Sequence, residues 1–285
     1  MGEYGVWQCR NCRSGQTWPC PSAQALEKYY DEFAYFLDET LIPTVKKSAT
    51  KMFHDLGLKP AQNLRMLDIG GGGGFFCKAF EDLGYGKSTY VDMDPQACEF
   101  ASKTLHLKAV LNCDAVHLDK KISRRFDLIF SRHLIEHLPQ PVVFLKKSLE
   151  YLEETGTFVV QCPNADSIEY LAYFRPLLKE RVKSISKTNH YSKARVFLIM
   201  ATGGMLHGID PPRHLWAITG KGLERWAESE GVSCDINYYP LTDRTFSPYW
   251  KKRDNFIHKT QDLVAHRIFA PLKGGTHLVA IFRKT

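Results

Sequence analysis

Five consecutive glycines, residues 70–74, lie in the stretch Met66-Leu-Asp-Ile-Gly-Gly-Gly-Gly-Gly-Phe-Phe76. A β-prone apolar run ends where they begin, and an amphipathic run over 75–83 starts where they stop. That is the order strand, tight turn, helix, and apolar flanks on both sides argue against a flexible linker. Glycine accepts positive φ and lets a ligand lie against the main chain with no Cβ in the way. Asp68, in the strand just before the loop, can receive a cationic ligand group in the space the glycines clear. The dinucleotide fingerprint G-x-G-x-x-G fits poorly. Started at Gly70, Gly71 or Gly72, its third position falls on Phe75, Phe76 or Cys77, where close helix packing wants Gly or Ala.

Downstream the pattern alternates. Strands are expected at 65–69, 88–92, 109–112, 126–131 and 157–162, with helices at 75–83, from Pro95, and at 142–152. Thr219 caps a further helix to Glu230, and strands at 232–239 and 275–283 close the chain. Such alternation predicts the α/β class: a Rossmann-like, doubly wound, seven-stranded and mostly parallel sheet with helices on both faces. Ligands of such sheets bind at the carboxyl ends of the strands, where strand order reverses.

The rest is arranged around that sheet. Residues 1–21 hold Cys9-x-x-Cys12, a knuckle spacing that suits zinc, with Cys20 nearby but no second cysteine pair; no metal is assigned to them. Residues 22–60 read as N-terminal helices. Ser22 is a cap, Leu26, Tyr29, Tyr30, Phe33 and Phe36 recur at helical spacing, Pro43 is a break, and 45–56 is a second amphipathic helix. This aromatic stripe is core or a lid over the site, with Tyr29 or Tyr30 inward. The main domain, 61–285, carries basic insertions at about 164–218 and 240–272 over the strand ends. Cys77, Cys98, Cys113, Cys162 and Cys234 read as small buried hydrophobes. No apolar run is long enough to span a membrane, and residues 1–25 lack the apolar centre of a signal peptide, so the expected compartment is the cytoplasm. A net charge of +7 permits an acidic substrate without requiring one.

Asp92 ends the second strand, where a carboxylate can accept both ribose hydroxyls. Asp114-Ala115 ends the third, where an adenine amino group could be held. After the fourth comes Ser131-Arg-His133-Leu-Ile-Glu-His137-Leu-Pro139, and the later tract His207-Gly-Ile-Asp-Pro-Pro-Arg-His214-Leu-Trp216 adds two more histidines.

Taken with Val91-Asp-Met-Asp-Pro95, Phe126-Asp-Leu-Ile129, Gly156 and Pro163-Asn164, these residues resemble the class I S-adenosylmethionine-dependent methyltransferases. The subgroup is that of ubiquinone-biosynthesis O-methyltransferases and bacterial sugar and polysaccharide methyltransferases. The resemblance covers roughly 26–235. It implies S-adenosylmethionine as cofactor, with Asp68, Gly70, Gly72 and Gly74 around the methionine part, Asp92 at the ribose, Asp114 with Ala115 at the adenine and His133 beside the sulfonium; Met93 and Ser131 are further expected cofactor-binding residues. Only through this resemblance do residues 1–21 look like a partial zinc-ribbon-like segment. The family commonly has Cys or Ala where this chain has Gly71, and the turn is expected to accept either.

A hydroxyl acceptor must lose a proton, and a neighbouring histidine is the natural base. His133, His214 and His137 are the candidates; His207 is the fourth histidine of the region. The expected reaction is methylation of a small polar acceptor, foremost a hydroxyl of a sugar, sugar nucleotide or related phosphorylated metabolite. A quinone-type phenol is the nearest alternative. RNA methylation would need a recognition module the scattered basic residues do not form, so no nucleic-acid partner is expected. A non-catalytic cofactor-binding protein is the alternative outside enzymes. Neither the oligomeric state nor the methylated atom follows from the sequence.

Overall fold

The structure is a computed structural model that describes residues 4–22, 24–26, 37–61, 63–118, 122–169, 192, 194, 209, 211–240, 260 and 263–285. In chain order, β1 (Gly5–Gln8) and β2 (Gly15–Trp18) make an antiparallel hairpin, followed by α1 (Ile42–Asp55). The alternating part is β3 (Leu64–Ile69), α2 (Phe75–Asp82), β4 (Gly86–Asp92), α3 (Pro95–Glu99), β5 (Val110–Asn112), β6 (Phe126–Arg132), α4 (Pro141–Glu150) and β7 (Leu152–Pro163). It ends with β8 (Trp216–Ala217), α5 (Gly220–Glu230), β9 (Val232–Tyr239) and β10 (His277–Lys284).

The main sheet has seven strands in the order β5-β4-β3-β6-β7-β10-β9. Strands β5 to β7 are mutually parallel, and β10 runs antiparallel to both neighbours. From β3 the chain moves outward to β4 and β5, then returns to β3's other side as β6. Order therefore reverses at β3, and the crevice at that switch point receives the glycine loop.

Strand periodicity explains the two cores. Along β3, Met66 faces one side and Leu67 and Ile69 the other, as a period of two requires. Met66, Tyr90 and Phe130 pack with Phe76 and Phe80 of α2 and with Val45, Ala49, Met52 and Phe53 of α1. On the opposite face, Leu67, Ile69, Val91, Ile129 and Phe158 pack with Phe144 of α4 and Trp226 of α5. Helix α1 thus lies against α2 and the sheet side they share. Pro43, expected as a break, stands in the first turn of this helix, where a missing N–H costs nothing. The hydroxyl of Ser22 accepts from Ala25 N at 3.2 Å, as a cap does; Tyr29, Tyr30, Phe33 and Phe36 lie outside the described residues.

Several boundaries differ from expectation. β7 begins at Leu152 rather than 157, and its pairing with β6 shifts register between Phe126 and Leu128. Gly156 marks the irregular stretch, with no room for a Cβ beside the Leu152 side chain. Cys113 and Cys234 are only half-buried, whereas Cys77, Cys98 and Cys162 are buried. Residues 5–18 form a short antiparallel ribbon, and β2 also pairs with β8 to give a second, three-stranded sheet, β1-β2-β8. Among the described residues no helix is long and apolar enough to cross a membrane.

Phe53 is fully buried and meets Phe76, Phe80 and Tyr85 edge-on or nearly so, at 5.2–6.2 Å between ring centroids. Phe53→Ala is expected to destabilise the fold by about 3–5 kcal/mol, read as a lower denaturant midpoint.

Candidate functional site

The glycine loop is shaped by backbone geometry. Gly70, Gly72 and Gly74 take φ of 71°, 53° and 71°, the left-handed region that side chains rarely adopt. Gly71 has ordinary φ but no room: a Cβ there would sit 2.6 Å from the Tyr90 ring. Tyr90 is buried, and its hydroxyl donates to the Gly72 carbonyl at 2.6 Å, so the ring cannot yield cheaply. The expected tolerance of Gly71 for Cys or Ala is therefore overturned by an aromatic ring from the next strand.

Asp68 lies at the end of β3, nearly inaccessible to water. Burial, the largest influence, pushes its pKa up to about 7; the nearby Arg132 charge and a hydrogen bond from the Cys77 thiol at 3.6 Å pull the other way. Such a group is held at the edge of ionisation until a cation arrives. Asp92 ends β4. Its Oδ2 accepts from Gly72 N at 2.9 Å and its Oδ1 from Asp94 N at 3.0 Å. Each oxygen keeps a second lone pair for a further donor. Burial raises the Asp92 pKa as well, opposed by those amides.

Around this corner Met93 is exposed, and Asn112 Nδ2 donates to the Asp92 and Met93 carbonyls, tying the ends of β4 and β5. Asp114 forms an exposed turn in which Oδ1 accepts from Val116 N at 2.7 Å, with Ala115 half-buried beside it. Ser131 pairs in register with Ile69, and its hydroxyl oxygen is buried without a hydrogen-bond partner among the described residues.

The histidines gather beyond β6. His133 takes a positive φ of 49°, with its amide donating to the Gln161 carbonyl at 2.8 Å. Its tautomer follows from its neighbours. Arg132 Nε donates to Gln161 Oε1 at 2.9 Å, which turns the Gln161 amide nitrogen toward His133 Nε2, 3.3 Å away. Nε2 must then accept, and Nδ1–H donates to Glu136 Oε1 at 3.3 Å. Burial and the Arg132 charge push the His133 pKa down, so this ring is neutral at pH 7.

Glu136 is buried, and its Oε2 has no hydrogen-bond partner among the described residues. Burial raises its pKa, opposed by His137, His214 and Arg213. His137 Nδ1 donates to the Arg213 carbonyl at 3.0 Å, leaving Nε2 as the acceptor, 4.0 Å from Glu136 Oε1. Burial lowers the His137 pKa more than Glu136 raises it. The His214 ring meets that of His137 at 74° with centroids 4.7 Å apart. Ligand atoms of Glu136, His137 and His214 lie within 4.8 Å of one another, a set that could grip a divalent cation or pass a proton. The cysteines at 9, 12 and 20 form no comparable set among the described residues. His207 lies outside those residues.

The structure thus gathers Asp68, the glycines, Asp92 and Ser131 at the switch point, with His133, His137 and His214 in a cluster on Glu136. Glu136 appeared in the sequence only as part of a motif. Arg132, Gln161, Tyr90 and His277, whose ring is 5.5 Å from that of His133, were missed. Parallel pairing of β6 with β7 could have suggested Gln161; nothing in the sequence signals His277.

Comparisons with known proteins show the family and the fold. The sequence profile of a family described as a methyltransferase domain matches residues 39–234. The chain belongs to that family: it carries an S-adenosylmethionine-dependent methyltransferase domain, and S-adenosylmethionine is its cofactor. Among similar proteins, ubiquinone biosynthesis O-methyltransferase of Rhodopseudomonas palustris (strain TIE-1) is 33% identical over 109 residues, 36% of this chain and 41% of that one. The enzyme of the same description from Nitrobacter winogradskyi is 33% identical over 106 residues, 35% and 39% of the two chains. This chain therefore covers about two fifths of the length of these relatives. A solved S-adenosylmethionine-dependent methyltransferase from Archaeoglobus fulgidus shares the fold, with a TM-score of 0.53 at 18% identity over 88% of this chain and 100% of that one.

The Asp68 carboxylate makes stability depend on pH. The unfolded chain releases this proton near pH 3.8, while the folded one keeps it to about pH 7. Between those values the folded state binds more protons, so the Asp68 contribution to stability falls as pH rises. His133 and His137, with lowered pKa values, act in the opposite sense. The expected observation is that wild-type stability minus that of Asp68→Asn declines from pH 4 to pH 7 in ligand-free denaturation.

Proposed function

We propose that this chain methylates a hydroxyl oxygen of a small acceptor, foremost a phenol of the quinone-precursor kind, using S-adenosylmethionine. The observation that carries the reading is the cluster of half-buried His137 and His214 on the buried Glu136 carboxylate. The phenol is favoured over a sugar because the two relatives described above are named for ubiquinone biosynthesis. The sugar-nucleotide reading leaned on the basic insertions, and most of 164–218 and 240–272 lies outside the described residues.

The residues fit the cofactor by charge and by space. Asp68 suits the ammonium of the methionine part, and the glycines leave the backbone clear. The remaining lone pairs of Asp92 suit the ribose hydroxyls, while exposed Met93 offers an apolar surface to the adenine beside Asp114 and Ala115. Ser131, buried with an unpaired hydroxyl, and His133 flank the reactive end. When bound, the cofactor supplies an electrophilic methyl group on a positively charged sulfur, so the protein's main task is alignment.

The remaining task is the acceptor's proton. Both nitrogens of His133 are committed to Gln161 and Glu136, which makes it an orienting group for Glu136. The base is then the His137–His214 pair. His137 is neutral at pH 7 with an accepting Nε2, and Glu136 behind it stabilises the imidazolium that forms.

Three measurements test this. Calorimetric titration should give binding of S-adenosylmethionine and S-adenosylhomocysteine, abolished by Asp92→Ala; unchanged affinity in that variant would remove the ribose role. Release of S-adenosylhomocysteine should occur with catechol-type phenols and not with sugar nucleotides, with and without EDTA to expose any cation requirement. His137→Gln should lower kcat by about 10²–10⁴-fold while leaving cofactor affinity alone. A folded sample that binds no cofactor sinks the whole reading, whereas turnover on sugar nucleotides alone replaces only the acceptor.

A further inference from the structure

The hairpin β1–β2 adds nothing to the seven-stranded sheet, and the family match begins only at residue 39. Both its position and its bonds need a reason. Strand β1 is exposed along its whole length, yet Thr17 of β2 is almost completely buried. Its hydroxyl donates to the His214 carbonyl at 2.7 Å, and its amide to the Leu215 carbonyl at 2.9 Å. Gly15 and Gln16 then pair with Ala217 and Trp216. At the turn, Ser14 Oγ bonds to Thr219 Oγ1 at 2.9 Å, Thr219 Oγ1 reaches the Cys12 carbonyl at 2.6 Å, and Arg13 pairs with Asp166 at 3.1 Å.

The tract so gripped is also held from its other side. Leu215 N donates to the Glu136 carbonyl at 2.8 Å, Trp216 Nε1 to the Leu138 carbonyl at 2.9 Å, and His137 Nδ1 to the Arg213 carbonyl at 3.0 Å. Strand β8 has two residues, too few to fix its own course, and a two-stranded contact of that length is marginal in water. Its backbone is set by being stitched between the 136–138 turn and the hairpin.

From this arrangement we propose that the N-terminal hairpin is a positioning element of the active site, with Thr17 as the positioning residue that sets the backbone, and hence the ring, of His214. Thr17 touches neither cofactor nor acceptor; it acts through the His214 carbonyl. The proposal rests on the reading of His137 and His214 as the proton-accepting pair. The bond links residues 197 positions apart, so it fixes a geometry that local structure cannot.

The test compares Thr17→Val, which keeps shape and loses the donor, with Thr17→Ser, which keeps the donor, in the full chain. The histidine ring signals are read by NMR without acceptor, together with the melting temperature, cofactor affinity by calorimetry, and kcat and KM on the phenol that serves as substrate. In Thr17→Val the His214 ring signals should shift while those of His133 stay. Cofactor affinity should hold, and kcat should fall on the order of tenfold to a hundredfold, as displacement of a reacting group by an ångström does. Thr17→Ser should restore both signals and rate.

Unchanged His214 signals in a folded Thr17→Val protein overturn the proposal. So does an equal loss in both variants that follows the melting temperature. If the His214 signals move as expected but His214→Gln still transfers methyl groups at full rate, the clamp stands and the proton role of His214 falls.

Discussion

A carboxylate with almost no access to water, Asp68, sits at the end of the central strand, and much of the architecture is explained by the need to put it there. Burying a charge is expensive unless something compensates, so the group is held near neutrality by burial, with Arg132 and the Cys77 thiol as partial counterweights. Only a strand interior to the sheet can bury a residue this way. β3 has β4 on one side and β6 on the other, and the reversal of strand order there opens the crevice the carboxylate faces. The glycines finish the arrangement by turning the chain without filling the space.

Two networks then extend from that point without sharing a residue of the loop. One joins side chains to backbone: the Asp92 carboxylate accepts the Gly72 amide, the Tyr90 hydroxyl donates to the Gly72 carbonyl, and the Asn112 side chain ties together the ends of β4 and β5. The other is made of side chains, running from Arg132 through Gln161 and His133 to Glu136. Because Arg132 fixes the Gln161 amide, the proton on His133 has one place to be, and Glu136 is oriented by it. Beyond Glu136 the arrangement depends on a segment from much later in the chain, which is in turn held by residues 12–17. Order in the histidine cluster is thus borrowed from distant sequence, while order around the glycine loop is local.

What could be read from the sequence divides along that line. Asp68, the glycines, Asp92 and the alternation of elements carry local signals: a strand pattern, a turn that demands positive φ, a carboxylate at a strand end. The histidine cluster could be named residue by residue but not assembled. Whether His133 faces ligand or protein depends on which way the Gln161 amide points, and that is decided by Arg132, a residue with no distinguishing pattern. Gly71 makes the same point in reverse. It looked replaceable because the family the sequence resembles commonly has Cys or Ala there, but the Tyr90 ring from the adjacent strand occupies the space.

The sequence by itself determined the class of fold, the glycine turn at the end of the central strand and the carboxylates around it, because these follow from periodicity and from the backbone preferences of a few adjacent residues. Only the tertiary structure decided that the N-terminal segment is a hairpin paired with β8, that His214 comes to rest against His137, and that Glu136 lies buried between the histidines. The first two are pairings between residues dozens to hundreds of positions apart, and the third is completed by His214 from the same distant segment. No local preference encodes them, since they form only when the packed sheet has brought the segments together.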